Sequence, residues 1–177
     1  MKNLIYILAA CLGPLLAGNA KGQTTTSDNI VSESVTFGDM PKGKGVYGIF
    51  EGRSPCEAIS RQMGAKMPAD LDHLKWQLIL FCDSVTLKPT TFTLRTEMFG
   101  RKPLTGNWSR VNGAKNSLAA PYIALDWRKP GKPLYLLKGD ENVLFILDEN
   151  LQFLTGDADF SYTLNRVRKV LRPLPKN

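Results

Sequence analysis

The chain has 177 residues, 43% hydrophobic and 22% charged, which is the composition of one globular domain with room for a real core. Its formal net charge of +7 suits an anionic neighbour such as a membrane surface, although surplus charge also serves solubility alone. No alternation of basic and aromatic residues marks a nucleic-acid platform, so nucleic acid is excluded as a partner.

Residues 1–20 read as a signal peptide. Lys2 supplies the positive charge, Leu4–Leu16 is apolar apart from Gly13-Pro14, and Gly18-Asn19-Ala20 offers small residues for cleavage before Lys21. A second reading stays open. Leu8-Ala9-Ala10-Cys11 resembles a bacterial lipobox, which would leave a lipidated Cys11 as the mature N-terminus and as a membrane tether. No later apolar run is long enough to span a bilayer as a helix. Residues 21–40 read as a flexible Ser/Thr-rich tether, in which only Val35-Thr36-Phe37 hints at a strand.

The domain is expected over 41–166. Val46–Glu51 (VYGIFE) predicts a first strand, broken at Gly52-Arg53. Ser54-Pro55-Cys56-Glu57 then predicts a helix start, with Ser54 as cap, Pro55 at the first helical position and Glu57 completing a capping box. Gly64 is the natural stop. Cys56 then falls in the first turn, where unpaired backbone N–H groups favour a thiolate. With Cys11 in the leader, Cys56 and Cys82 remain. In an oxidising compartment two such cysteines most often pair, and a Cys56–Cys82 disulfide is the expectation.

Short strands follow. Lys75–Cys82 puts Trp76, Leu78, Leu80 and Cys82 on one face and Gln77, Ile79 and Phe81 on the other. Asp83–Pro89 predicts a hairpin loop into Thr90–Phe99. Further strands are expected at Gly106–Val111, Tyr122–Trp127, Leu134–Lys138, Val143–Leu147, Leu151–Leu154 and Phe160–Arg166, with Asn112-Gly113 as a tight turn and Arg128–Pro133 as a loop. About nine strands with hairpin-length links argue an antiparallel meander. Closure removes its edges, so an all-β, up-and-down barrel of about eight strands is predicted, with one short helix after the first strand. Residues 167–177 read as a basic tail whose Arg168, Lys169, Arg172 and Lys176 are a solvated end or a contact for anionic lipid.

These pieces together resemble a family. They are Val46-Tyr47-Gly48-Ile49-Phe50, Ser54-Pro55-Cys56-Glu57-Ala58-Ile59, Gly106-Asn107-Trp108, Gly139-Asp140 through Leu147-Asp148, and the closing Phe160–Arg166. Over Gly45–Arg166 the chain resembles the N-terminal domain of the NlpE copper-resistance lipoproteins of Gram-negative bacteria. The resemblance implies a lipocalin-like barrel in the periplasm or anchored at the outer membrane, a role in copper tolerance or envelope-stress signalling, and an envelope signalling partner rather than catalysis. One position departs from the pattern: the family commonly has a second Cys three residues after the first, and here that residue is Ile59. No second, C-terminal domain is expected either.

Three chemistries compete for the same residues. Cys56, Met63, Met67 and His73 form a soft-donor set suited to Cu(I), though Cys56, Ile59 and Met63 at helical spacing equally describe a face packed on a core. Cys56 with His73 could form a nucleophile pair, but the spacing matches no thiol-enzyme pattern. The plain reading is the disulfide. Asp148-Glu149-Asn150 and Asp157-Ala158-Asp159 read as turns, not calcium loops. The expectation is therefore a non-enzymatic envelope barrel. A lipocalin-like carrier holding a small apolar ligand inside the barrel is the alternative.

Overall fold

Alternation along each strand decides which residues enter the barrel. In the computed structural model, residues 32–33, 40–64, 67, 69–100, 102–111, 121–126 and 133–168 are described. The predicted leader with Cys11, the predicted strand Val35-Thr36-Phe37, the predicted Asn112-Gly113 turn, most of the predicted Arg128–Pro133 loop and residues 169–177 of the predicted tail lie outside them. Eight antiparallel strands form the wall: β2 (Val46–Pro55), β3 (His73–Cys82), β4 (Pro89–Arg95), β5 (Leu104–Val111), β6 (Tyr122–Asp126), β7 (Leu134–Lys138), β8 (Val143–Leu147) and β9 (Thr163–Arg168). Each pairs with the next, and Phe50↔Arg166 and Glu51↔Asn165 close β9 onto β2. This is the predicted up-and-down, lipocalin-like barrel. A two-residue strand β1 (Ser32–Glu33) adds in parallel to Val167 and Arg168, inside what reads from sequence as a structureless tether.

Inward faces carry the core. Trp76, Leu78 and Leu80 of β3 meet Phe92 and Leu94 of β4, Trp108 of β5, Leu134 and Leu136 of β7, and Leu144 and Ile146 of β8 in one buried cluster. An eight-stranded barrel is just wide enough for such side chains to fill it. Trp76 is fully buried, and its indole Nε1–H donates to Ser54 Oγ at 2.9 Å.

Helix α1 (Glu57–Met63) follows β2 and closes one end of the barrel, with Ile59 and Met63 in the same cluster. Tyr162 belongs to that cluster and Ala58 packs against it, and Gln62 Nε2 donates to the Leu147 carbonyl at 3.5 Å. Gly64 stops the helix as predicted, at φ 60° and ψ 32°.

Several boundaries differ from the sequence reading. Strand β2 continues through Gly52 to Pro55, because its ladder with β3 runs unbroken to Pro55↔His73. Ser54 is therefore an inward strand residue and not a helix cap. Cys56 takes the cap position without a capping hydrogen bond, and Glu57 pairs instead with Arg61 at 2.6 Å. Leu151–Leu154 is no strand. The Asp148 carboxylate accepts from the backbone N–H groups of Asn150 and Gln152, both at 2.8 Å, and Leu151 sits at φ 64°. Strand β4 ends at Arg95 and gives way to a 3-10 turn over Glu97–Phe99. Strand β9 begins at Thr163 and runs to Arg168, taking the first two residues of the expected tail.

Candidate functional site

The barrel end opposite α1, here the rim, gathers the start of β2, the β3–β4 hairpin, the ends of β5 and β9, and the β7–β8 turn. Alternation carries charged residues inward at this level. Arg110 follows the core residue Trp108 on β5, Lys138 follows Leu136 on β7, and Arg166 follows Leu164 on β9. They converge on Tyr47. The Arg110 guanidinium carbon lies 5.1 Å from the Tyr47 ring centre and 5.8 Å from that of Trp108. Arg166 lies 5.7 Å from Tyr47 and 4.7 Å from Phe50, within cation–π range.

Two β-bulges make these contacts available. An irregularity between Val46 and Gly48 accompanies the Tyr47 carbonyl, which accepts from Arg166 Nη1 at 2.9 Å. Another between Leu80 and Cys82 accompanies the Phe81 carbonyl, which accepts the Trp108 indole N–H at 2.6 Å. Arg166 Nε donates also to the Glu141 carbonyl at 2.6 Å. Gly48 leaves the room: a Cβ there would stand 2.5 Å from Arg166 Nη1.

The rim is under-neutralised. Lys138 pairs with Glu141; this hydrogen bond pulls the Glu141 carboxyl below its ordinary range and pushes the Lys138 ammonium above its own. Arg110 is exposed and has aromatic contacts but no ion pair among the described residues. Lys42, Lys44, Lys88 and Arg168 stand exposed at the same end. So do two apolar side chains of the β3–β4 hairpin, Val85 at 87% and Leu87 at 59% exposure. The hairpin is rigid there, since the Asp83 carboxylate accepts from the N–H groups of Val85 and Thr86 at 3.1 and 2.6 Å. Those bonds, Thr86's first, hold the Asp83 carboxyl below its usual range.

The sequence-predicted site lies at the other end and is only partly assembled. Cys56, Met63 and Met67 belong to or pack against one hydrophobic cluster, and His73 is close to Cys56 through the Pro55↔His73 pair. The Cys56 thiol donates to the Leu71 carbonyl at 3.3 Å. His73 Nδ1 is held by Asp72 at 2.5 Å, and its ring stacks on Phe160 at 4.5 Å. Burial pushes the Cys56 thiol up, and the carboxylates of Asp72 and Glu97 push it further. This reverses the predicted thiolate: a seven-residue helix offers a weak dipole, and burial, with the two acids behind it, outweighs it.

The predicted Cys56–Cys82 disulfide is not formed; both thiols are free. The register explains why. Cys56 follows Pro55, which pairs with His73, whereas Cys82 ends the same strand nine residues on. At about 3.3 Å per residue the two ends of β3 stand roughly 30 Å apart, far beyond the reach of a disulfide. Cys82 instead donates to the Lys44 carbonyl at 3.5 Å. Sequence reasoning missed the rim cluster entirely. The available signal was a cation two residues beyond an inward aromatic or aliphatic residue in β5, β7 and β9.

Among the described residues, no three of His, Cys, Asp and Glu stand close enough together to hold a metal ion. No family model, curated protein or solved structure matches the chain.

Proposed function

We propose that this protein is a non-enzymatic cell-envelope barrel of the NlpE kind, which senses or reports envelope state by resting its rim on an anionic membrane surface. The observation that carries the reading is the pairing, at one end, of exposed Val85 and Leu87 with Lys42, Lys44, Lys88, Arg110 and Arg168. Apolar prongs enter the head-group boundary while cations meet anionic lipid, each cation worth about 1 kcal/mol near such a surface. Chain direction supports the same orientation: β9 runs out at the rim, where the basic tail follows, and β2 begins there, after the tether. A contiguous apolar cluster lines the interior, so the carrier reading would need space among those side chains.

The test is co-sedimentation of the exported protein with phosphatidylcholine vesicles, with and without phosphatidylglycerol. Binding should require the anionic lipid and weaken with salt. Arg110→Ala should weaken it about fivefold. Equal binding to neutral vesicles, or an Arg110→Ala variant that binds like the parent, would overturn the proposal.

Copper-linked sensing is a second reading, favoured by Cys56, Met63 and Met67 sharing one hydrophobic cluster and by His73 pairing with Pro55 beside Cys56. The donor types suit Cu(I), which would have to displace the thiol proton and the Asp72 contact to His73. Competition titration against a Cu(I) chelator decides it, because Cys56→Ser should then lose affinity. Unchanged affinity removes the reading.

A further inference from the structure

The outer wall of a small barrel faces water, so its outward residues should be polar. Where β2, β3 and β9 adjoin they are not: Ile49, Ile79 and Val167 are buried there, with Met40, Val46 and Phe81 packed on them. Residues 40–43 pass beside this patch and leave an open cleft of about 470 Å³ against β2 and β9, where the wall meets the rim. That volume falls in the roughly 300–1,000 Å³ range of small-molecule sites.

The cleft has two chemistries. Met40, Val46, Ile49 and Val167 make an apolar side, and Lys42, Arg166 and Arg168 a cationic one. Among the side chains described there, none is a carboxylate, and Glu33 is the register partner of Arg168 on the β1–β9 ladder. Arg166 is fixed by the Tyr47 and Glu141 carbonyls, and among the described residues these use two of its five donors. Lys42 and Arg168 are exposed, without an ion pair among the described residues.

A neutral apolar ligand would leave these cations beside it without a partner. A small inorganic anion would leave the apolar side wet. We propose that the cleft binds a soluble single-chain amphiphile with an anionic head group, a fatty carboxylate being the simplest. The chain lies on Met40, Val46, Ile49 and Val167, and the head group meets Arg166, Arg168 and Lys42. This goes beyond the membrane-resting role, with which it shares Lys42 and Arg168: Arg110, Val85 and Leu87 serve that role alone and do not line the cleft.

The experiment is calorimetric titration of the mature, full-length protein with octanoate, decanoate and dodecanoate below micelle formation, beside the matching alcohols. Binding should be saturable, one to one, and about fourfold tighter per added methylene until the cleft is full. The alcohols should bind more weakly. Arg168→Glu should weaken the carboxylates about fivefold. Met40→Ser should flatten the dependence on chain length, with thermal melts checking that both variants fold. Binding without saturation, without dependence on chain length, or equal for alcohols would overturn the proposal. So would a dimer in sedimentation whose interface covers the cleft. Arg110→Ala separates this site from the membrane role, since it should weaken vesicle binding and leave dodecanoate binding unchanged.

Discussion

Cys56 shows position and environment opposing each other. A cysteine at the start of a helix is expected to be acidic, yet burial and two nearby carboxylates hold this one protonated. A thiol whose folded pKa is raised favours the folded state below its unfolded pKa, and that contribution is lost as pH rises through the raised value. Alkylation of Cys56 in the native protein should therefore accelerate only above the ordinary thiol range, followed by mass spectrometry against pH. Denatured, unreduced protein should yield Cys56 and Cys82 both free; a Cys56–Cys82 peptide would contradict the strand register. Ser54 makes a second residue-scale case. Its hydroxyl is the acceptor for the buried Trp76 indole. Ser54→Ala should cost about 1–3 kcal/mol in urea unfolding, because the indole N–H is then left without a partner.

At the scale of elements, the β2–β9 seam needs a glycine at position 52. A Cβ on Gly52 would overlap the Thr163 carbonyl at the β2–β9 seam and press on Leu164. Gly52→Ala should cost about 1–3 kcal/mol and raise amide exchange in β9 before β5. The same glycine reads from sequence as a strand breaker, because a glycine followed by Arg53 and a capping signal looks like a turn. Only the partner strand reveals it as a point of close approach. Leu151–Leu154 misleads in the opposite sense. Its apolar residues look extended, but the Asp148 carboxylate winds the chain back on itself, and Phe153 is left 58% exposed. The face assignments in β3 were legible as far as Leu80, since a period of two depends on the residue order alone, and the bulge before Cys82 is where that period breaks.

The whole molecule is a packed barrel whose two ends differ in chemistry. Deleting the largest interior side chain tests the packing: Trp76→Ala should cost about 3–5 kcal/mol, read from urea denaturation. A far smaller loss would mean that the interior already holds space. The α1 end carries the acids Glu57, Asp70, Asp72 and Glu97, whereas the rim collects Lys42, Lys44, Lys88, Arg110 and Arg168. A net charge of +7 does not disclose this polarity. Sequence order scatters the rim residues from position 42 to position 168, and closure brings them onto one ring.

Much of the architecture follows from the order of residues alone. Alternating apolar positions, short turns and one helix bounded by Gly64 specify an antiparallel barrel, because those signals act between near neighbours. What chain order does not contain is the register between distant strands. Register decides that Cys56 and Cys82 lie at opposite ends of β3, that Ser54 meets Trp76, and that Arg110, Lys138 and Arg166 surround Tyr47. It is set by the joint fit of all eight strands around one core, a condition that no single stretch of the chain expresses.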